Sequence, residues 1–337
     1  MFLYILKRLL LAALTLLVIL LVSYLMLRAA PGDPTRSSLF GSDSNAGTVD
    51  TKSGLASNLA LREELHLDRP VLTGFSLWLK AIITRGDFGK SATVDPGRPV
   101  LAVIGERLPA TLKLNIAAII VTYIFAIFIG VHGAVNANSR IDEASSFALF
   151  VLYSMPVMWV GLMLQALFCE GGIWNIFPLQ GLEVPDSGKY SIWRLQWEIA
   201  RHYILPVFCL SYAGLAGLSR YTRNSMLEVL NANYIRTARA KGVPEYRVIW
   251  EHAFSNSLIT LITLFGGLLP SLIAGSIIIE YIFNIPGMGN LSLLALSSRD
   301  YPLQMALFFF SGLLTLIGIL LADLLYMVCD PRIELTK

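Results

Sequence analysis

The chain has 337 residues, of which 55% are hydrophobic and only 15% charged, with a mean hydropathy of +0.64; soluble domains carry about 25% charged residues, so this composition argues against a water-soluble enzyme. Its net charge of +3 is scattered along the chain and offers no clustered basic face for nucleic acid. The three cysteines, Cys169, Cys209 and Cys329, are too few and too widely spaced for a disulfide framework or a zinc site.

A bilayer core about 30 Å thick needs roughly 20 apolar helical residues. Six uncharged runs approach that length: Leu9 to Leu27, Leu114 to Val131, Phe147 to Phe168, Tyr203 to Ser219, Ser257 to Ile279 and Leu303 to Ala322. Each is expected to be helical, because lipid offers the backbone no hydrogen-bond partners. The predicted fold is an all-α integral membrane protein with six transmembrane helices. The first run exceeds the apolar core of a secretory signal and reads as a retained anchor. Lys7 and Arg8 precede it, and Arg220, Arg223, Arg236, Arg239, Lys241 and Arg247 lie between the fourth and fifth runs. The positive-inside rule therefore predicts that both sites, and both termini, face the cytoplasm.

Three regions follow: residues 1–30 as a short tail and first span, 31–111 as a large extracytoplasmic segment, and 112–337 as a five-helix core with a cytoplasmic loop over 219–256. The outer segment is polar from Ser37 to Asn58 and then mixed, with Trp78 and Leu79 as anchors to an interface or a packed subdomain. A second outer loop, Glu170 to His202, carries Trp174, Trp193 and Trp197.

The run Gly86-Asp87-Phe88-Gly89-Lys90-Ser91 ends like a phosphate-binding loop, but Thr84 stands where that motif needs its first glycine. His66, His132, His202 and His252 fall in separate segments with no second ligand at helical spacing, which argues against a metal site. Asp323 is the main ionisable residue within a span, near the cytoplasmic end, where an interfacial partner or water satisfies it. Small residues pattern the fourth and fifth spans: Ala213 with Gly217, and Gly267, Ser271 and Gly275. They read as flat faces for close helix packing, while Pro156, Pro206 and Pro270 free carbonyls that neighbours or a water-filled path must satisfy.

The 219–256 loop is the most informative segment. Asn233 is expected to cap a helix from Tyr234 to Lys241, Gly242 to end it in the left-handed conformation, and Pro244 to open a second helix. In that helix Tyr246, Ile249, Trp250 and Ala253 fall at i, i+3, i+4 and i+7, one apolar face. Isolated helices below about 12 residues rarely persist in water. These must dock, either on their own spans and lipid headgroups or on a partner.

The string Tyr234-Ile235-Arg236-Thr237-Ala238-Arg239-Ala240-Lys241-Gly242 resembles the coupling loop of the dipeptide/oligopeptide/nickel branch of bacterial ABC-importer permeases. The resemblance runs almost end to end: Pro31-Gly32-Asp33-Pro34, Leu61-Arg62, Leu65-His66-Leu67-Asp68, the Gly86 to Ser91 run, Arg107 to Leu112, Ser154-Met155-Pro156 and Arg220 to Arg223. After the fifth span come Glu280 to Phe283, Pro286-Gly287-Met288-Gly289, Arg299-Asp300-Tyr301-Pro302 and finally Asp330-Pro331-Arg332. Three departures stand out: Arg236 where the broader importer motif begins with an acid, Thr260 where proline is common, and His66 where glycine is usual. The polar stretch over 37–58 is also longer than is typical of the family.

The resemblance implies a multi-pass permease subunit of the bacterial inner membrane, working with a second homologous permease, two cytoplasmic ATPase subunits and an extracytoplasmic solute-binding protein. It implies no catalytic residue, metal or cofactor in this chain, ATP being bound by the partners. Tyr234, Arg236, Ala238, Arg239, Lys241, Gly242, Tyr246 and Trp250 would form the coupling loop. The Gly/Pro-punctuated segment with Glu280, Phe283, Pro286, Gly287, Gly289, Arg299 and Asp300 is expected to line a gate or meet the binding protein, the alternative being a cap that only orders helix ends. The implied cargo is di- or oligopeptide, with nickel or a glutathione-like solute as the rival. A self-sufficient secondary transporter lacks support, since neither intramembrane charge pairs nor inverted repeats are evident; a membrane-embedded enzyme would need convergent catalytic side chains, also unseen.

Overall fold

The computed structural model describes residues 2–29, 68–182, 184, 188, 190–268, 272 and 275–329. The strings at 31–34, 61–67 and 330–332, the 37–58 stretch, His66, Pro270, Ser271 and the side chains of Thr260 and Asp323 lie outside what is described. Among the described residues the structure is helical, relieved by two isolated bridges, Lys90 with Pro99 and Cys169 with Phe177. The helices are α1 (Phe2–Ala29), α2 (Val71–Arg85), α3 (Val100–Val135), α4 (Arg140–Ser154), α5 (Val157–Phe168), α6 (Ile192–Leu230), α7 (Asn233–Ala240) and α8 (Glu245–Arg247). A π-helical segment follows (Val248–Phe254), then α9 (Ser255–Leu268), α10 (Ile277–Ile282), α11 (Met288–Ser298) and α12 (Tyr301–Cys329).

Four of these are long and apolar enough to cross a membrane: α1 over Leu6–Ala29, α3, α6, and α12 over Tyr301–Leu321. At about 1.5 Å per residue, the 39 residues of α6 reach about 58 Å, nearly twice the hydrocarbon thickness. Its ends therefore stand clear of the core, as the polar sequence on both sides of Tyr203 to Ser219 requires.

Two predicted spans are not single helices. The third breaks between α4 and α5, which bend by 97°. Pro156 has no amide to donate and forces Met155 into extended backbone, φ −84° and ψ 128°. The Met155 carbonyl accepts the Tyr212 hydroxyl at 2.7 Å, so a neighbouring helix satisfies the break. The fifth span is interrupted before α10, where Gly275 has φ +70° and Ser276 is extended, its hydroxyl accepting the Ile279 amide. The left-handed glycine breaks the helical course and the capping serine starts α10.

The chain divides into two compact units. The first comprises residues 1–109 and 287–316. One of its clusters joins Leu20, Tyr24 and Leu27 of α1 to Phe75 of α2 and Met305 of α12, with Trp78 and Leu79 packed against it. Those two residues therefore anchor a packed subdomain. Its other cluster sets Val100, Val103 and Ile104 against Leu291, Ala295, Leu303 and Leu307. Phe88 stacks there on Phe310 and meets Phe309 edge-on.

The second unit comprises residues 110–286 and 317–337. Its main cluster includes Leu114, Val160, Leu205, Tyr212, Ile279 and Phe283. The close approach of α3 to α6 does not use the pair Ala213 and Gly217 singled out from spacing. A Cβ on Gly130 of α3 would lie 2.5 Å from Thr222 Cβ and 2.8 Å from the Ser219 carbonyl oxygen, whereas one on Gly217 meets nothing within 4 Å.

Candidate functional sites: the 231–256 loop and the 276–302 segment

In the loop, α7 starts one residue earlier than expected. Ala232 is the N-cap, its carbonyl receiving the Ile235 and Arg236 amides, and Asn233 is already helical, its carbonyl taking the Thr237 hydroxyl. The helix ends as predicted at Gly242, φ +76°. The Gly242 amide donates to the Arg239 carbonyl at 3.0 Å and the Val243 amide to Ala238 at 3.2 Å, the paired bonds of a Schellman turn. Pro244 is the N-cap of α8, one place before the helix it opens.

Three of the four residues of the predicted face, Ile249, Trp250 and Ala253, pack inward, and Tyr246 does not. Over Val248–Phe254 the chain is π-helical, so residues five apart align: Val248 and Ala253 are fully buried while Tyr246 is 71% exposed. Trp250, predicted as docking area, is half-buried and meets Phe254 and Phe128 edge-on. With Val131, Ala134, Met226 and Ile235, these residues form a small core of their own. The apolar side of the loop is thus spent on this chain's helices.

What faces outward is aromatic and net basic: Tyr234, Arg236, Arg239, Lys241, Gly242, Tyr246 and Arg247 are exposed beside Glu245 and Glu251, and Ala238 is half-buried. Arg239 forks onto Glu245 across the turn, Nε to Oε2 at 3.2 Å and the terminal nitrogen to Oε1 at 2.6 Å. That hydrogen bond, the largest influence, holds the Glu245 carboxyl below its ordinary value. A carboxylate lowered in the folded state contributes stability above its unfolded value and loses it as pH falls through the folded one. Both side chains are solvent-exposed, so the pair contributes about 0.2–1 kcal/mol at most. Glu245→Gln should therefore change amide exchange in 239–245 only slightly at pH 7, and its difference from the native chain should vanish well below pH 4, where the carboxyl is protonated.

A clamp between α4 and α6 was not foreseen from the sequence. Asp142, in the first turn of α4, accepts from Arg223 of α6 at 2.9 and 2.7 Å and from the Asn138 amide at 3.0 Å. Ser139 and Asp142 have the spacing of a capping box, and the Ser139 hydroxyl does receive the Asp142 amide. That local signal was present in the sequence; the fork to Arg223, 81 residues away, was not.

In the 276–302 segment, the part belonging to the second unit is held from inside. Glu280 is buried and accepts the Thr111 hydroxyl at 2.9 Å. Phe283 is buried and its carbonyl takes the Gly181 amide, while the Ile282 carbonyl takes Gln165 Nε2 at 2.8 Å. Pro286 is half-buried. In the first unit, Gly287 is the N-cap of α11, Gly289 is buried within it, and Arg299 closes it in the left-handed conformation at φ +58° with its side chain outward.

Asp300 is fully buried. Its Oδ2 accepts the Ser91 hydroxyl and the amides of Ala92, Thr93 and Val94 at 3.0 to 3.1 Å, and its Oδ1 receives the Leu303 amide at 3.2 Å. The turn just after the Gly-Lys-Ser run, through the amides of Ala92, Thr93 and Val94 and the Ser91 hydroxyl, therefore forms an anion-binding nest. The anion is the protein's own carboxylate. The structure thus leaves Tyr234, Arg236, Arg239, Lys241, Gly242 and Tyr246 exposed on the loop, and sets Glu280, Phe283, Gly289 and Asp300 inside their units.

Comparisons with known proteins match the sequence nearly end to end. Residues 107–335 match the family described as binding-protein-dependent transport system inner membrane component, and residues 1–115 match its N-terminal domain. The oligopeptide transport system permease protein AppB of Bacillus subtilis is 39% identical over 331 residues, covering 98% of this chain and 99% of that protein. A probable peptide ABC transporter permease of Sinorhizobium fredii is 35% identical and the dipeptide transport system permease DppB of Alkalihalophilus pseudofirmus 34%, each over 98% of this chain and 99% of its own length. The chain therefore belongs to the family of inner-membrane permease components of binding-protein-dependent ABC transport systems.

Proposed function

We propose that this permease subunit imports di- or oligopeptides, with ATP hydrolysis confined to partner subunits and no cofactor or metal of its own. The observation that carries the coupling role is the division of the 231–256 loop: its apolar side is buried on its own chain, while an aromatic and net basic surface built around a Schellman turn stays exposed. Such a surface, rigid and pre-formed, suits docking to another protein. The peptide cargo rests on the names of the relatives, which concern peptides, oligopeptides and dipeptides.

In this reading six membrane passages leave both termini and the loop in the cytoplasm, residues 31–111 outside, and 112–337 as the core. A second permease, two ATPase subunits and the solute-binding protein complete the machine. Closure of the ATPases moves α7 and the π-helical segment, and the Asp142–Arg223 fork carries that displacement to α4 and α6. On the outer side Arg299 is the exposed contact, and Glu280, Phe283, Pro286, Gly287, Gly289 and Asp300 give the segment its shape.

The test is purification of this chain with its candidate partners in lipid nanodiscs, reading ATPase activity with and without loaded binding protein. Tyr246→Ala removes an exposed side chain that the fold does not use, and Gly242→Asp places a side chain at φ +76°. Each should lower peptide-stimulated ATPase activity about tenfold, the effect of losing an interface anchor, with unchanged thermal unfolding of the permease for Tyr246→Ala. Full stimulation in both variants, or no ATPase co-purifying with the native chain, would sink the coupling role.

A further inference from the structure

Helix α6 contains a glycine that the fold does not explain. Glycine inside a helix costs about 0.5–1 kcal/mol relative to alanine, so a mid-helix glycine usually marks a close neighbour or a special backbone. Gly214 has such a neighbour, since its Cβ would lie 3.3 Å from Thr122 Cγ2. Gly217 has none: it is helical, and a Cβ there would point into open space.

Gly217 lies in the wall of two open cavities of the second unit. A smaller one of about 380 Å³ lies among α3, α6 and α9, with Asn115, Thr122, Tyr123 and Ser276 in its wall. A larger one of about 670 Å³ lies between α4 and α6, with Glu143, Arg220 and the Asp142–Arg223 fork in its wall. Gly217 and Tyr221 belong to both linings.

The linings differ in a way that suits one occupant. Among the described residues of the smaller cavity none is charged, and its amides and hydroxyls are scattered over an otherwise apolar surface. Such a wall holds a backbone-like solute weakly and tolerates varied side chains. The larger cavity presents an exposed cation, Arg220, and an exposed anion, Glu143, which together complement the carboxylate and ammonium ends of a zwitterion.

We propose that the two cavities are consecutive parts of this subunit's solute route, and that Gly217 sets its width: the missing side chain keeps the junction open beside Tyr221. The inference rests on the peptide-importer reading and names the position that limits cargo size. The competing explanation is that Gly217 receives the backbone of the second permease.

The experiment uses the whole transporter in proteoliposomes, with native Gly217 and the variants Gly217→Ala, Gly217→Leu and Gly217→Cys. Dialanine and a tryptophan-containing pentapeptide are the probes. Gly217→Leu should lower pentapeptide uptake about tenfold more than dialanine uptake, the scale of a steric misfit of one large side chain, with Gly217→Ala in between and ATPase stimulation by loaded binding protein retained. Gly217→Cys should react with a water-soluble methanethiosulfonate and be protected by saturating pentapeptide. Equal loss for both probes, no loss for either, or a cysteine that resists the water-soluble reagent would overturn the proposal. If the native complex shows peptide-stimulated ATPase activity while Gly217→Cys is unprotected, the importer reading stands and only this assignment falls; if the native complex takes up neither probe, the reading itself falls.

Discussion

Replacing Asp300 by alanine should destabilise the 1–109 and 287–316 unit by about 1–3 kcal/mol, the cost of leaving its hydrogen-bond donors without their buried acceptor. The Asp300 carboxylate satisfies three consecutive amides and one hydroxyl of the 91–94 turn and also caps α12. Without it those donors have no acceptor, and the Ser91 hydroxyl, which itself receives the Asp95 amide, loses its anchor. Asp300→Asn keeps one oxygen of the same shape and should cost roughly half as much, because hydrogen bonds to a charged acceptor are about twice as strong as neutral ones. Hydrogen exchange at residues 91–95 reads this directly. Unchanged protection in Asp300→Ala would show that the nest holds itself together.

Gly130→Ala should be strongly damaging although it adds a single methyl group. Its Cβ would stand 2.5 Å from Thr222 Cβ and 2.8 Å from the Ser219 carbonyl, and Thr222 is fully buried. Neither neighbour is the free end of a flexible side chain, so α3 and α6 must separate. Overpacking of this kind costs about 1–3 kcal/mol. The separation would also strain the Asp142–Arg223 fork, since a Cβ on the nearby Gly133 would already lie 2.8 Å from Asp142 Oδ1. Thermal unfolding in detergent should show Gly130→Ala well below the native midpoint, while Gly217→Ala stays at or above it. Equal midpoints would mean that the helices accommodate the methyl without moving.

The parts of the structure legible in the sequence are those set by local physics. Helices α1, α3, α6 and α12 follow from the length and hydropathy of their runs, because a segment in lipid must satisfy its own backbone. Gly242 follows from its place after a short helix, since only a left-handed residue completes that turn at little steric cost. The family itself was legible because many short strings recur in one order along the chain, and the matches over 1–115 and 107–335 bear this out.

Where two local signals compete, the packing decides. Pro156 was visible, but the 97° bend it permits depends on Tyr212 being in place to receive the Met155 carbonyl. The second loop helix turns Ile249, Trp250 and Ala253 inward as their spacing implied, but its π-helical course also buries Val248 and leaves Tyr246 exposed, which a period of 3.6 does not foresee. Likewise the glycine at the close contact of α3 with α6 is Gly130, flanked at four-residue spacing by the buried Ala126 and Ala134, a small-residue pattern whose partner helix only the packing reveals.

By itself the sequence determined the helical membrane class, the main spans, the turn at Gly242 and the family. Only the tertiary structure decided that Asp300 fills the amide nest of Ser91 to Val94 and that Arg223 clasps Asp142, pairs separated by about 200 and by 81 residues. Spacing along a chain records which groups share a helix face, but which distant donor meets which acceptor is settled only when the helices have packed.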